Sequence, residues 1–240
     1  MHVLILALDT SSPTGSVAVL EDCRLLAVVS TTTDETYSSR IFRQLEFLLN
    51  ELHLRLDQFD LFAVNAGPGS FTGLRVGLTT SKAWAESFGK PVVRVSGLEA
   101  VAAQAASSAD TIIPVIDARR GQLYAGLYRR GPGSGARELQ LVRSAEDAVM
   151  TPEEFVAWTN RSSMPPDAPF ATPFTAFLEA ALSHAGSAIG REICEVSPVL
   201  APIIGKLALL KASQGQGLDA LRLDANYVRR SDAELNWKGK

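Results

Sequence analysis

The 240-residue chain is 46% hydrophobic and 20% charged, which is enough apolar sequence for one large domain or two of ordinary size. Its formal net charge of −3 at pH 7 argues against a protein that grips nucleic acid unaided, because such proteins normally carry a concentrated basic surface.

Targeting and metal patterns are missing from the sequence. The apolar residues 1–8 have no basic flank, are too short for a membrane span and run into Asp9, so we expect no signal peptide and no membrane helix. Cys23 and Cys194 are far apart and lack a ligand pattern. We therefore expect reduced thiols in a cytoplasmic protein.

Hydrophobic periodicity predicts a strand meander followed by alternating helices and strands in the first half. Ser96 and Glu99 form a capping-box pattern that opens the last helix of this half. The predicted elements are strands at 3–8, 16–20 and 25–30, a helix at 38–54, a strand at 61–65, a helix at 72–88, a strand at 91–95 and a helix from 97 to about 106.

The second half repeats this plan, with a second strand-end aspartate at Asp117. The repetition predicts an internal duplication, and we place the domains at 1–108 and 109–240. The predicted elements are strands at 112–117 and 123–128 and near 139–142, a helix opened by the capping residue Thr151, a proline-rich loop at 160–173, a helix at 174–185, a strand at 193–196 and a final helix from Ser197.

A glycine turn joins the predicted strand at 61–65 to the helix after it. Gly67 and Gly69 can adopt backbone angles closed to other residues, and Ser70 is placed to cap the helix. Backbone N–H groups and a helix N-terminus can together hold an anion. The sequence fits neither a P-loop nor G-x-G-x-x-G, since Thr72 stands where each pattern needs glycine, and a tight turn without a ligand remains the alternative.

Three separated motifs resemble one family in sequence and in order. They are LALDTS at 6–11, AGPGSFTGLRVG at 66–77 and VIDARRGQLY at 115–124, with a looser match at 227–234. Together they are similar to the bacterial threonylcarbamoyladenosine-synthesis family TsaB, also called YeaZ. The resemblance covers the first half of the chain closely and the rest loosely.

This resemblance implies a fold and a role. The fold is the α/β, two-lobed actin-like ATPase (ribonuclease H-like) fold with a duplicated βββαβα plan and a reduced second half. The role is a subunit, non-catalytic on its own, that binds TsaD so that the complex transfers threonylcarbamoyl to the adenosine beside the tRNA anticodon. The resemblance also implies TsaE and TsaC as further machinery, a homodimer when TsaD is absent, and tRNA binding only through the complex.

The strand-end aspartates have two possible roles. In ATPases of this fold, carboxylates at such positions handle nucleotide-bound magnesium, which makes Asp9 and Thr10, with Gly67, Gly69 and Ser70, a candidate nucleotide or anion site. Alternatively, Asp9 and Asp117 each cap their own turn. The resemblance leaves open whether ATP or ADP is bound at the interface of the complex.

Catalytic and metal patterns are absent from the sequence. The three histidines have no histidine or cysteine partner three or four residues away, and no serine stands in a nucleophile elbow. We expect no metal ligands and no catalytic residues. A small-molecule kinase that uses Asp9 and the glycine turn, and a metalloprotease-like hydrolase, remain the alternatives.

Small residues recur on the helix after the glycine turn and allow close packing, either onto its own sheet or onto a partner. The resemblance implies that the two helices at 38–54 and 72–88 form the interface with TsaD or with a second copy. Many sequences of the family that this chain resembles carry histidine just before the first long helix, where this chain has Tyr37, and this departure leaves the role of the position open. The predicted interface residues are Tyr37, Ile41, Leu45, Leu48, Gly73, Leu74, Gly77 and Ser81.

Two adjacent arginines, Arg119 and Arg120, lie in the predicted hairpin turn of the second half. A solvated turn is one interpretation. The other is a contact with RNA phosphate or with an acidic partner.

Overall fold

The structure is a computed structural model that describes residues 2–33, 35–105, 109–131, 139–187 and 190–216. The loosely matching motif at 227–234 lies outside these residues. The elements of the first half are β1 (Leu4–Asp9), β2 (Thr14–Glu21), β3 (Arg24–Thr32), α1 (Tyr37–Leu52), β4 (Leu61–Asn65), α2 (Phe71–Phe88), β5 (Val92–Val95) and α3 (Gly97–Gln104). Those of the second half are β6 (Thr111–Arg119), β7 (Gln122–Arg130), β8 (Leu141–Met150), α4 (Pro152–Thr159), β9 (Phe170–Thr172), α5 (Thr175–His184), β10 (Ile193–Glu195) and α6 (Ala201–Ser213).

The first sheet has the strand order β3-β2-β1-β4-β5. Its first three strands form the predicted antiparallel meander, and β1, β4 and β5 run parallel to one another. The central strand β4 is buried along its whole length, as expected for a strand covered on both faces. The carboxyl ends of β1 and β4 therefore meet at one edge of the sheet.

The second sheet repeats this plan with the order β10-β9-β6-β7-β8. Each half is a meander, a helix, a parallel strand, a helix, another parallel strand and a final helix. The first two helices of the second half are shorter, since α4 and α5 have 8 and 10 residues where α1 and α2 have 16 and 18. The predicted duplicated plan with a reduced second half is confirmed.

Helix α1 packs one face on the first sheet and leaves the other in solvent. Ile41, Leu45 and Leu48 are buried on the inner face, as their helical spacing predicts. Phe42 and Phe47 point outward, and each is 56% exposed. The helix ends at His53, which adopts the left-handed conformation with φ 53°.

Several predicted boundaries were wrong. The third strand of the second meander, β8, extends to Met150, and the predicted loop at 160–173 contains the strand β9, which pairs with β6. Only half of the predicted capping box forms, because Ser96 caps α3 while the Glu99 carboxylate pairs with Lys211 at 2.9 Å. The last helix begins at Ala201.

Helix α6 joins the two halves. It packs against β1, β2, β4 and β5, and the Ala201 backbone N–H donates to the Ser16 hydroxyl at 3.1 Å. One apolar cluster consequently contains Ile5 of the first sheet, Ile112 of the second and Ile204 of α6. The division into domains 1–108 and 109–240 stays a prediction. Among the described residues, no helix combines the length and apolarity that crossing a membrane requires.

Candidate functional site at the strand ends

Asp9 ends β1 beside Asn65, which ends the parallel strand β4. The Asp9 side chain is fully buried, and its Oδ1 accepts hydrogen bonds from the Ser11 backbone N–H at 3.0 Å, the Ser11 hydroxyl at 2.7 Å and the Asn65 amide at 2.9 Å. The bond from the Ser11 N–H is the turn-capping contact that the second alternative for Asp9 requires.

The second carboxyl oxygen of Asp9 has a different environment. Oδ2 is buried and has no hydrogen-bond partner within the part of the chain that the structure describes. Burial raises the pKa of this carboxyl, while the bonds from Ser11 and Asn65 lower it. The net pKa shift is upward.

The glycine turn packs directly against the Asp9 loop. Gly67 adopts the predicted special backbone angle, with φ 110°. Gly69 is required for a different reason, because a Cβ at this position would lie 2.6 Å from the Ser11 Cβ and backbone oxygen. The Gly67 N–H donates to the Asn65 side-chain oxygen at 2.9 Å, and the Ser70 N–H donates to the Ser11 backbone oxygen at 2.7 Å. Two N–H groups that could have faced an anion are therefore used within the chain.

Ser70 caps α2 as predicted, because its hydroxyl accepts from the Gly73 N–H at 3.2 Å. This bond uses a third N–H group of the turn. One N–H group at the helix N-terminus is thus satisfied by the chain's own cap at the place where the sequence allowed an anion.

Tyr37 and Arg40 close the same end of the sheet. The Tyr37 hydroxyl donates to the Ser12 backbone oxygen and lies over Gly15, where an added Cβ would overlap the ring. Burial, and next the Asp9 carboxylate, raise the pKa of Tyr37. The Arg40 guanidinium lies 3.9 Å from the Tyr37 ring centroid and donates to the backbone oxygens of Thr31 at 3.1 Å and Pro13 at 2.9 Å.

This arrangement does not fit a nucleotide-bound magnesium ion, which the actin-like fold implies at the end of β1. Asp9 Oδ2 has no partner among the described residues, but Oδ1 accepts three internal hydrogen bonds, the N–H groups of Gly67, Ser70 and Gly73 are used within the chain, and Tyr37 fills the space above Gly15. Among the described residues, no group of three histidine, cysteine or carboxylate side chains is placed to hold a metal. The three histidines all lie at the surface, away from Asp9.

Thr10 contacts the stripe of small residues on α2. Its hydroxyl donates to the Gly73 backbone oxygen at 2.7 Å, and a Cβ added to Gly73 or Gly77 would clash with Thr10. The alternative of close packing onto the chain's own sheet therefore describes this stripe.

The eight predicted interface residues are all buried within this chain, so they do not form an open surface. A partner docking on α1 and α2 would contact the outer faces of these helices. The buried set is Tyr37, Ile41, Leu45, Leu48, Gly73, Leu74, Gly77 and Ser81.

Asp117 occupies the corresponding turn of the second half. Its Oδ1 accepts from the Arg119 backbone N–H at 2.6 Å, which is again the turn-capping contact. Arg119 and Arg120 are exposed at the tip of the hairpin.

Two polar groups of functional interest are not indicated by the sequence motifs. Asn65 links Asp9 to Gly67. Its position at the end of β4, the parallel strand beside β1, is a sequence signal for this role. Asp147 of β8 is 1% exposed in its side chain, accepts from the Tyr128 hydroxyl at 2.9 Å and lies 3.4 Å from the Ser96 hydroxyl. It falls beyond the predicted end of its strand, so no pattern indicated its burial.

Comparison with protein families relates the chain to tRNA modification. The family model described as "TsaD: tRNA N6-adenosine threonylcarbamoyltransferase" matches residues 27–189. The TsaB protein of Bacillus subtilis, described as a tRNA threonylcarbamoyladenosine biosynthesis protein, is 38% identical over 125 residues, which is 52% of this chain and 55% of that protein. The chain spans about half the length of the curated relatives it matches.

Solved structures agree on the fold. YeaZ from Pseudomonas aeruginosa superposes with a TM-score of 0.73 at 24% identity, covering 94% of this chain and 99% of that one. An Arthrobacter polyphosphate/ATP-glucomannokinase has a TM-score of 0.50 at 12% identity, covering 88% of this chain and 99% of the kinase chain. The fold is the two-lobed actin-like fold.

Proposed function

We propose that this chain is a non-catalytic docking subunit. The premise is that it belongs to the family described as TsaD, tRNA N6-adenosine threonylcarbamoyltransferase. Within the actin-like ATPase superfamily it is a TsaB/YeaZ member. It binds TsaD and supports transfer of threonylcarbamoyl to the adenosine next to the tRNA anticodon. TsaE and TsaC take part in the same pathway, and tRNA is bound through the complex.

The observation that carries this proposal is the filled strand-end site. Tyr37, Asn65 and the Asp9 loop fill the strand-end site at which the resemblance implies nucleotide-bound magnesium. An enzyme needs its reactive carboxylate accessible to substrate or metal, whereas Asp9 is enclosed by its own chain. Metal and nucleotide chemistry is then supplied by the partner.

The outer face of α1 is the proposed docking surface. Phe42 and Phe47 are each 56% exposed on a helix whose inner face is anchored to the sheet. Leu25 and Val28 of the edge strand β3, exposed by 41% and 38%, pair with Leu20 and Ala18 on the opposite face of the sheet and are not part of this surface. Exposed aromatic side chains on a rigid element serve as anchors in protein interfaces, where a few such residues supply most of the binding energy.

Association with TsaD tests the proposal. The double variant Phe42→Asp/Phe47→Asp should bind the cognate TsaD at least about tenfold more weakly than the original chain, because it replaces two exposed aromatic anchors with charges that the interface would have to bury. Co-purification and calorimetric titration measure the association. Threonylcarbamoyl transfer by the reconstituted system should fall in proportion.

A matched substitution on the other half controls for charge. Val142→Asp changes a side chain that is 51% exposed on β8, so it should leave the association unchanged. Both variants should keep a melting temperature within about 2 °C of the original, because exposed substitutions alter stability little. Undiminished binding by the double phenylalanine variant would exclude this face of α1.

A further inference from the structure

The hairpin turn between β6 and β7 holds two arginines in an unfavourable backbone conformation. Arg119, Arg120 and Gly121 have φ angles of 63°, 56° and 71°, all in the left-handed region. Because Arg119 pairs with Gln122, Arg120 and Gly121 form a two-residue turn. Only glycine and, less readily, asparagine or aspartate adopt this conformation at low cost.

Turn formation alone does not explain the arginines. A two-residue turn with positive φ at both positions favours Asn-Gly, and this chain has Arg120 in place of asparagine. Non-glycine residues held in the left-handed region cost free energy, and such residues cluster at functional sites.

The Asp117 carboxylate stabilises the Arg119 backbone more strongly than it binds the Arg119 side chain. Asp117 Oδ1 accepts from the Arg119 backbone N–H at 2.6 Å, while Asp117 Oδ2 lies 3.7 Å from Arg119 Nη1. A strong guanidinium–carboxylate hydrogen bond measures about 2.7–2.9 Å, so this ion pair is weak. The Arg119 side chain remains 67% exposed.

We propose that this turn, Arg119–Arg120, contacts phosphate groups of the tRNA backbone in the assembled complex. The inference rests on the proposed function, which makes tRNA the polyanion brought to this chain. Guanidinium groups bind phosphate in a planar, two-pronged geometry, and a rigid turn presents them with little loss of backbone entropy. With a net charge of −3, the chain would contribute a local contact and leave most of the RNA binding to its partner.

The test separates stability from binding. Arg119→Asn/Arg120→Asn places, at two left-handed positions, a residue that adopts this conformation at lower cost, so the melting temperature should rise by about 2 °C. Binding of an unmodified tRNA transcript, whose anticodon reads a codon beginning with A, should weaken about tenfold at low salt. The slope of log affinity against log salt concentration should become shallower by about 1 to 2, one unit for each lost phosphate contact.

Arg129→Asn is the matched control. It removes one positive charge from an exposed position at the far end of the same hairpin, and it should change neither the tRNA affinity nor the salt slope. Binding is measured for the complex with TsaD and, at low ionic strength, for the chain alone, so that the effect of the turn is read in both.

The other outcomes overturn one proposal or the other. Unchanged affinity and slope in the double asparagine variant would overturn the tRNA contact. The tRNA contact would also be overturned if the double asparagine variant no longer bound TsaD but, on its own, bound tRNA as the original chain does. The turn would then contact the protein partner. Failure of the original chain to bind TsaD contradicts the proposed function, and the turn is then judged from the chain alone.

Discussion

Asp9 is a buried carboxyl group with one satisfied oxygen and one unsatisfied oxygen. Oδ1 accepts three hydrogen bonds, while Oδ2 has no partner among the described residues. Leaving an ionised oxygen buried without a donor costs free energy, and this is why burial raises the pKa of Asp9. The chain keeps a costly group here that its Asn65 and Ser11 contacts only partly stabilise.

Asp9→Asn should remove this cost. Asparagine retains an oxygen that can accept from Ser11 and Asn65, but it carries no charge. Since the pKa of Asp9 is raised above its ordinary 3.8, the folded protein loses stability as pH rises through and above that value, and protonation restores the stability at lower pH. The variant should therefore melt higher than the original at pH 8, and the difference should shrink toward pH 4.

The same variant tests the absence of a catalytic role. Threonylcarbamoyl transfer by the reconstituted complex should stay within about twofold of the original, whereas loss of a catalytic carboxylate commonly costs about 100-fold or more. A melting curve below that of the original at pH 8, or a collapse in transfer by a folded complex, would contradict this account of Asp9.

At the scale of the element, α2 lies close to the β1–β2 connection because its inner stripe carries almost no side chains. Gly73 and Gly77 face Thr10, whose hydroxyl is held by the Gly73 backbone oxygen at 2.7 Å. Ser81 continues the stripe, and it is fully buried. The packing gained by this close approach is thus partly offset by the low helix propensity of glycine.

Gly77→Ala should reverse the usual effect of alanine in a helix. Alanine normally stabilises a helix relative to glycine by about 1 kcal/mol, but its Cβ here would clash with the Thr10 hydroxyl. The free energy of unfolding should fall by about 1–3 kcal/mol, as measured by urea denaturation. The penalty should shrink in a Thr10→Ala background, because the clashing atom is then missing.

Thr79→Ala is the control on the same helix. Thr79 is exposed, so alanine should leave stability unchanged or raise it by a few tenths of a kcal/mol. Equal stabilisation by Gly77→Ala and Thr79→Ala would mean that the helix is not in close contact with Thr10.

Helices and strands with clear periodicity could be predicted from the sequence, whereas the contacts inside the site could not. Ser70 and Gly67 were predictable because caps and left-handed turns have strong residue preferences. Arg40 was not, since a helical charge is ordinarily expected in solvent, yet here backbone oxygens and the Tyr37 ring surround it. Tertiary partners that lie far apart in sequence decide such positions.

At the scale of the whole molecule, the two sheets share one apolar core. Helix α6 follows the second sheet in sequence but covers the first, and Gly205 allows it to approach Leu20 and Ala7. A Cβ added at Gly205 would lie 2.5 Å from Leu20 Cδ1. Because the core includes residues of both halves, we expect the described parts of the two halves to unfold together.

Gly205→Val should therefore destabilise both halves equally. Overpacking against the buried Leu20 should lower the free energy of unfolding by about 1–3 kcal/mol, and Gly190→Val, which meets no atom within 4 Å, should not. Variants that retain only Trp84, in α2, or only Trp158, in α4, report each half by fluorescence. The two midpoints should coincide and shift together with Gly205→Val, whereas a shift confined to one tryptophan would mean that the halves unfold independently.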